Sequence, residues 1–228
     1  MIPIRDSIRP RKTPVVNWLL IGLNIYIFIL QTTLSPRELR LFFHQFGVIP
    51  AHIIHLDLPM LLAGHWEPFV PLVSSMFLHG SWWHLLSNML YLWVFGDNVE
   101  DRLGHLGYLF FYVAMGLIAA LTHVWSDPFS TVPMVGASGA VAGVLGAYFV
   151  AFPRARVLAL VPVFFFLTIA EVRAVFFLFL WFLLQALSGL GTIQGAQSVA
   201  WWAHIGGFLA GALTFLLFRP RAPLRRFP

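Results

Sequence analysis

The chain contains no cysteine, which excludes a disulfide scaffold and any site built on a thiolate. Charge is nearly as scarce: Asp, Glu, Lys and Arg make up 10% of the 228 residues, whereas 59% are apolar. A soluble surface needs far more charge, roughly a quarter of all residues. With a mean hydropathy of +0.82, the chain has more apolar side chain than one soluble core of this length can hide. Lipid is the expected solvent. No His-Glu-x-x-His run is present, and His79 with His84 has no obvious third ligand. Metal-dependent proteolysis is therefore not indicated, and neither a metal nor a cofactor is expected. An aspartyl mechanism would need two aspartates within the membrane, and Asp97 and Asp127 both fall in predicted loops.

The formal charge of +5 is gathered at the ends. Arg5, Arg9, Arg11 and Lys12 precede the first apolar run, and Arg219, Arg221, Arg225 and Arg226 follow the last. That placement anchors membrane ends rather than nucleic acid, which is not an expected partner. The first run lacks a small-residue cleavage site and is followed by more runs like it, so it is expected to remain in the protein.

Apolar stretches bounded by charge, Pro and Gly predict an all-α, polytopic membrane protein with six transmembrane helices, residues 1–228 forming one domain. The spans fall at about 14–33, 74–95, 105–125, 138–153, 174–190 and 199–218. Residues 34–73 mix charges with Phe, Ile, Leu and Trp and predict a partly membrane-embedded first loop of short helices. The run from Gly96 to Arg102 is expected to close the second span. Residues 157–170 are apolar but broken by Pro162, and are expected to form an interfacial connection. Six crossings put both termini on one side, together with the loops at 96–105 and 153–173. That side carries twelve basic residues against two on the other, which predicts cytoplasmic termini in a multi-pass protein of the cell membrane.

Polar side chains inside hydrocarbon are expensive and point to function. Here they are His79, His84 and Asn88 in the second span, Ser138 at the head of the fourth and His204 in the sixth. At about 1.5 Å of rise per residue from the charge ending each span, Ser138 lies about 24 Å up, His204 about 22 Å and His84 about 20 Å. In a hydrocarbon core about 30 Å thick, these groups share one layer below the outer surface. Ser138 sits in Gly136-Ala137-Ser138-Gly139, where the small neighbours Gly136 and Gly139 permit a sharp turn into a helix. Its backbone N–H is one of the unpaired donors of a helix start, suited to developing negative charge. His204 is the candidate base for that hydroxyl. Gly207 and Gly211 follow it at a spacing of four, opposite Gly139, Gly143 and Gly146 on the fourth span, so close helix packing is expected. His84 and Asn88 share a helix face and can donate to an oxyanion. His79 is expected to point elsewhere around that helix, as a supporting group.

Four motifs in this order resemble the rhomboid family of intramembrane serine proteases. They are His79-x-x-x-x-His84-x-x-x-Asn88, Gly96-x-x-x-Glu100-x-x-x-Gly104, Gly136-Ala137-Ser138-Gly139 and Ala203-His204-x-Gly206-Gly207. The resemblance implies an endopeptidase that cleaves single-span membrane protein substrates near the outer face of the bilayer by a Ser-His dyad. In it Ser138 is the nucleophile, His204 the general base, and His84, Asn88 and the Ser138 backbone N–H form the oxyanion hole. His79 supports them, Glu100 is structural, and the fifth span is the substrate gate. Two residues depart from the pattern. Glu67 follows Trp66 where the family often has Arg, and Ala142 stands where some members stack an aromatic on the histidine. The alternative is a catalytically inactive rhomboid-like protein that binds transmembrane clients, for which Ser138 and His204 would have no use.

Overall fold

The structure is a computed structural model that describes residues 1–56, 58–163, 166–191 and 200–218. Asp57, Phe164, Phe165, most of the loop expected before the last helix, and Arg219, Arg221, Arg225 and Arg226 lie outside the described residues. Strand β1 (Ile2–Asp6) leads to helix α1 (Val15–Thr32). Short helices follow, α2 (Pro36–Phe46), α3 (Pro50–Ile53), α4 (Leu58–Leu62) and α5 (Val70–Ser74), with tighter 3-10 turns at Glu67–Phe69 and Ser75–Phe77. Helix α6 (Trp82–Tyr91) runs through a π turn (Leu92–Gly96) into α7 (Asp97–Leu103). Then come α8 (His105–Ser126), α9 (Ser138–Ala151), strands β2 (Arg156–Val163) and β3 (Phe166–Arg173), α10 (Ala174–Gly191) and α11 (Trp201–Phe218).

The architecture is that of a helical, polytopic membrane protein. Helices α1, α8 and α11 are each long and apolar enough to cross a membrane, and α9 and α10 are further apolar helices. Exposed Leu, Ile, Phe and Trp side chains cover the outside of α1, α8, α10 and α11, the surface a bilayer solvates. Helix α9 is different. It is apolar all round, and every residue from Gly139 to Tyr148 is buried, so it is the core around which the others pack.

Glycine sets how closely they pack. Cβ atoms added at Gly207, Gly211 and Gly146 would run into the carbonyl oxygens of Gly139, Gly143 and Phe208. Backbone therefore lies on backbone along α9 and α11, as the spacing of small residues predicts. The contact is three-way, however. The open sides of Gly139 and Gly143 face Ala119 and Met115 of α8, and Gly206 faces Thr122 of α8.

Two expectations about the second span are corrected. The helix begins only at Trp82, where Ser81 caps it by accepting from the His84 N–H at 3.2 Å. His79 therefore lies in the link before the helix, not on it. At the other end, the run from Gly96 to Arg102 continues the helix through the π turn instead of closing it. Asn17 of α1 makes that continuation favourable. Its amide donates to the Leu92 carbonyl at 2.9 Å and its oxygen accepts from the Tyr108 hydroxyl at 2.9 Å. A Cβ on Gly96 would strike both groups. Glu100, buried to 2% exposure, then caps α1 by accepting from the Val16 and Asn17 N–H groups at 3.0 and 2.7 Å. His105 Nδ1 lies 2.5 Å from the same carboxylate. Gly104, at φ +72°, turns the chain from α7 into α8.

Within the stretch expected as an interfacial connection, Arg156–Val163 and Phe166–Arg173 form paired strands, which that reading did not include. β2 pairs antiparallel with both β1 and β3, giving the order β1-β2-β3, with Arg156 opposite Arg173 and Val163 opposite Phe166. Ala155, Val157 and Ala159 are buried, alternating with more exposed neighbours, the period of a strand. Pro3, which cannot donate to a ladder, is on the edge strand β1 beside a bulge. The N-terminal segment, α7 and the 153–173 connection thus meet at one end of the bundle, where Arg11 also pairs with Asp101 at 3.1 Å.

Asp6 joins these parts. It accepts from the Tyr148 hydroxyl of α9, and the Asn98 amide donates to Asp6 at 3.0 Å and to Asp97 at 2.9 Å. Burial pushes the Asp6 carboxyl up to about 6, and burial with the nearby Asp6 charge pushes Asp97 up to about 7. The unfolded chain gives up these protons near 3.8, so between about 4 and 7 the folded state holds more protons and stability falls as pH rises. The melting temperature in detergent is expected to be higher at pH 5 than at pH 8, and Asp6→Asn to flatten that difference. An equally steep profile in the variant would refute the assignment.

Candidate active site

Ser138 is the first residue of α9, and the chain enters it through Gly136 at φ +131°, a conformation that side chains rarely adopt. Gly136 is itself held by a 2.8 Å bond from its N–H to the Ser75 carbonyl. The Ser138 hydroxyl lies 2.8 Å from His204 Nε2. His204 is in the first turn of α11, so the backbone contact between the two helices sets this distance. Ser138 and His204 are 66 residues apart, as expected of groups brought together by tertiary packing.

The surroundings of the pair are polar on one side and closed on the other. A cavity of about 660 Å³ opens onto Ser138 and His204, lined among others by His84, Asn88, His123, Met134 and Gln185. A Cβ on Gly136 would lie 2.7 Å from His84 Nε2 and 3.6 Å from the Ser138 hydroxyl. The glycine therefore keeps room for His84 beside the serine. Asn88, one turn further along α6, points into the same cavity, but its amide nitrogen is also 3.0 Å from His79 Nε2. His79, only 1% exposed, is fixed in turn by Gln31 of α1. Its N–H donates to Gln31 Oε1 at 3.1 Å, and the Gln31 amide donates to its carbonyl at 3.0 Å. His79 thus holds Asn88 and leaves it one amide proton to aim elsewhere.

The electrostatics come from helix ends. α6, α9 and α11 all begin at this cavity, directing the positive ends of their dipoles toward it. α6 is capped by Ser81, and Glu100 caps α1. No side chain caps α9, so the N–H groups at Ser138, Gly139 and Ala140 retain donor capacity at the cavity wall. Such an arrangement can hold an anion or a polarised carbonyl oxygen.

Four side chains at the site were not expected from sequence. Gln185 Oε1 of α10 lies 2.6 Å from His204 Nδ1. Trp181 of α10 and Trp201 of α11 flank the imidazole, with ring centroids 6.1 and 6.0 Å away. They occupy the role of the aromatic neighbour that Ala142 cannot supply. His123 of α8 is buried in the cavity wall, with Nδ1 unpartnered among the described residues. Gln185 and His123 are polar residues in apolar runs, the same signal that picked out His84 and His204. Tyr91 of α6, also in the cavity lining, meets Phe177 and Trp181 of α10 across the seam between these helices. Glu67 opens its 3-10 turn and is exposed, remote from this chemistry.

Comparison with known proteins shows the family. Residues 66–221 match the Rhomboid domain. Rhomboid protein 1, mitochondrial, of Saccharomyces cerevisiae is 31% identical over 149 residues, 63% of this chain and 40% of that protein. Presenilin-associated rhomboid-like protein A, mitochondrial, of Danio rerio is 31% identical over 166 residues, 69% of this chain and 41% of that protein. RHOMBOID-like protein 5 of Arabidopsis thaliana is 31% identical over 152 residues, covering 66% and 45%. The chain spans less than half the length of these relatives. With its helical bundle, its glycine-packed core and a domain match over residues 66–221, the chain belongs to the rhomboid family of membrane proteins.

Proposed function

We propose that this chain is an intramembrane serine endopeptidase working by a Ser138-His204 dyad. The observation that carries the reading is the Ser138 hydroxyl 2.8 Å from His204 Nε2 at the uncapped start of a buried helix. His204 takes the Ser138 proton as the oxygen attacks a peptide carbonyl carbon. The resulting oxyanion is held by the Ser138 N–H, His84 and the free proton of Asn88. Protonated His204 then gives its proton to the departing amine as the C–N bond breaks. Water from the cavity, deprotonated by His204, hydrolyses the acyl ester and restores Ser138. The missing carboxylate is tolerable, since in a triad that group mainly orients and stabilises the imidazole.

The substrates are single-span membrane proteins admitted through the α6–α10 seam, with cleavage near the outer face. A substrate helix must unwind to expose a carbonyl, so segments with Gly or Pro near the cut are preferred. Six crossings are formed by α1, by α6 with its π turn, and by α8, α9, α10 and α11, within one domain of residues 1–228. Residues 34–73 are partly embedded in the membrane, and both termini are cytoplasmic. In support, the N-terminal segment, α7 and the 153–173 connection, three of the four segments on the basic side, meet at the end of the bundle away from Ser138.

A fluorophosphonate or isocoumarin probe in detergent is expected to label the wild type and neither Ser138→Ala nor His204→Ala. Equal labelling of Ser138→Ala, or cleavage of a transmembrane substrate by that variant, would sink the reading. A protein that only binds clients would show no Ser138-dependent label. Gly136→Ala is expected to cost about 1–3 kcal/mol of stability from its strained φ, seen as a lower melting temperature. It should also abolish labelling, because the added Cβ displaces His84 from beside Ser138.

A further inference from the structure

We propose that Gln185 is the third member of the site, a positioning residue that fixes which nitrogen of His204 carries the proton. This rests on the serine-protease reading, and it completes an arrangement of Ser138, His204 and Gln185 with a neutral amide where a soluble triad has a carboxylate. The argument begins with the imidazole. A neutral histidine has one N–H and one bare nitrogen. To accept the Ser138 proton, Nε2 must be the bare one, so Nδ1 must carry the hydrogen. A group facing Nδ1 promotes this tautomer only if it accepts. Gln185 Oε1, at 2.6 Å, does so. The reversed amide would donate to Nδ1 and put the proton on Nε2, where it blocks the base.

Among the described residues, the aromatic neighbours of the ring cannot substitute. Trp181 and Trp201 constrain the ring from its sides, but an indole N–H only donates. Gln185 and Trp181 are four apart on α10 and so present one face of that helix to His204. The imidazole is therefore oriented from α10, the helix beside the substrate seam, while its backbone belongs to α11. Removing the acceptor leaves the Nδ1 proton without its partner and lets the tautomers mix, which lowers the fraction of molecules able to start the reaction. The amide meets the ring nitrogen opposite the one that faces Ser138, so its loss acts on the base rather than on the serine.

The test uses the full chain in lipid nanodiscs with histidine labelled with nitrogen-15. Wild type, Gln185→Met, which keeps the length without the acceptor, and Gln185→Glu, which restores it, are compared. Cleavage of a Gly-containing transmembrane peptide, His204 ring nitrogen shifts and melting temperature are measured. Gln185→Met is expected to lose roughly tenfold in kcat with KM unchanged, the scale of one neutral hydrogen bond. Its His204 shifts should move from the Nδ1–H form toward a mixture, and Gln185→Glu should recover both. If Gln185→Met melts well below the wild type, Gln185→Leu is scored in its place. A kcat within twofold of wild type in the acceptor-less variant, or no recovery with Gln185→Glu, overturns the proposal while the protease reading stands. If the wild type cleaves nothing, that reading fails, and the nitrogen shifts decide the positioning role. Shifts unaltered by loss of the acceptor overturn it, and shifts that move toward the mixture uphold it.

Discussion

The structure depends on the approach of α9 and α11 until their backbones touch. Three glycines permit it, Gly146, Gly207 and Gly211, each standing where any side chain would meet a carbonyl oxygen. Glycine inside a helix costs about 1 kcal/mol relative to alanine, so this interface is built against local preference. What offsets the cost is dispersion contact between whole backbones, which hydrocarbon solvent cannot replace. Ser138 and His204 begin these two helices, and their 2.8 Å separation follows from the packing below them. α8 completes the grip by seating Ala119, Met115 and Thr122 against the remaining glycine faces. Ser138 and His204 are thereby placed on helices, not on loops.

The two ends of the bundle treat their polar groups in opposite ways. At the basic end, the donors at the start of α1 are satisfied by Glu100, and the Leu92 carbonyl is satisfied by Asn17. Asn98 bridges the partly buried carboxyls of Asp6 and Asp97, and Tyr148 caps the group. At the other end, α9 starts without a side-chain cap, and His123 lies in the cavity wall with Nδ1 unpartnered among the described residues. Uncapped donors cannot be left in hydrocarbon without partners, so the cavity has to be a place where water or a polar ligand resides. One end has its polar groups paired with one another, and the other leaves helix donors facing a cavity.

Much of this was legible in the amino-acid sequence, and the limits have physical causes. Runs of apolar residues between charges marked the helices, and Gly136-Ala137-Ser138-Gly139 marked the start of α9 at Ser138. The hairpin at 156–173 was hidden because both faces of its strands carry apolar residues, so the two-residue period does not stand out from the run. Pro162 then read as a break in an apolar run, and the stretch as an interfacial connection. The π turn was invisible because Gly96 looks like a helix end unless the partner that needs its space, Asn17, is known. His79 was misplaced for want of weight on Gly80-Ser81, a helix start that puts it outside α6. Gln185 satisfied the same test as His84, a polar side chain in an apolar run. What singles it out is the nitrogen it faces, and that exists only once α10 packs on α11.

The length of α9 has its own implication. Fourteen residues rise about 21 Å, well short of a hydrocarbon layer of about 30 Å, yet none of its described residues is exposed. Hydrophobic mismatch, which tilts or strains a lipid-facing helix, therefore reaches α9 only through its neighbours. A thicker or thinner bilayer bears on α1, α8, α10 and α11, whose outer faces are apolar and exposed. The spacing of Ser138 and His204 is referenced to the protein shell, and their depth in the bilayer is what the choice of membrane can alter.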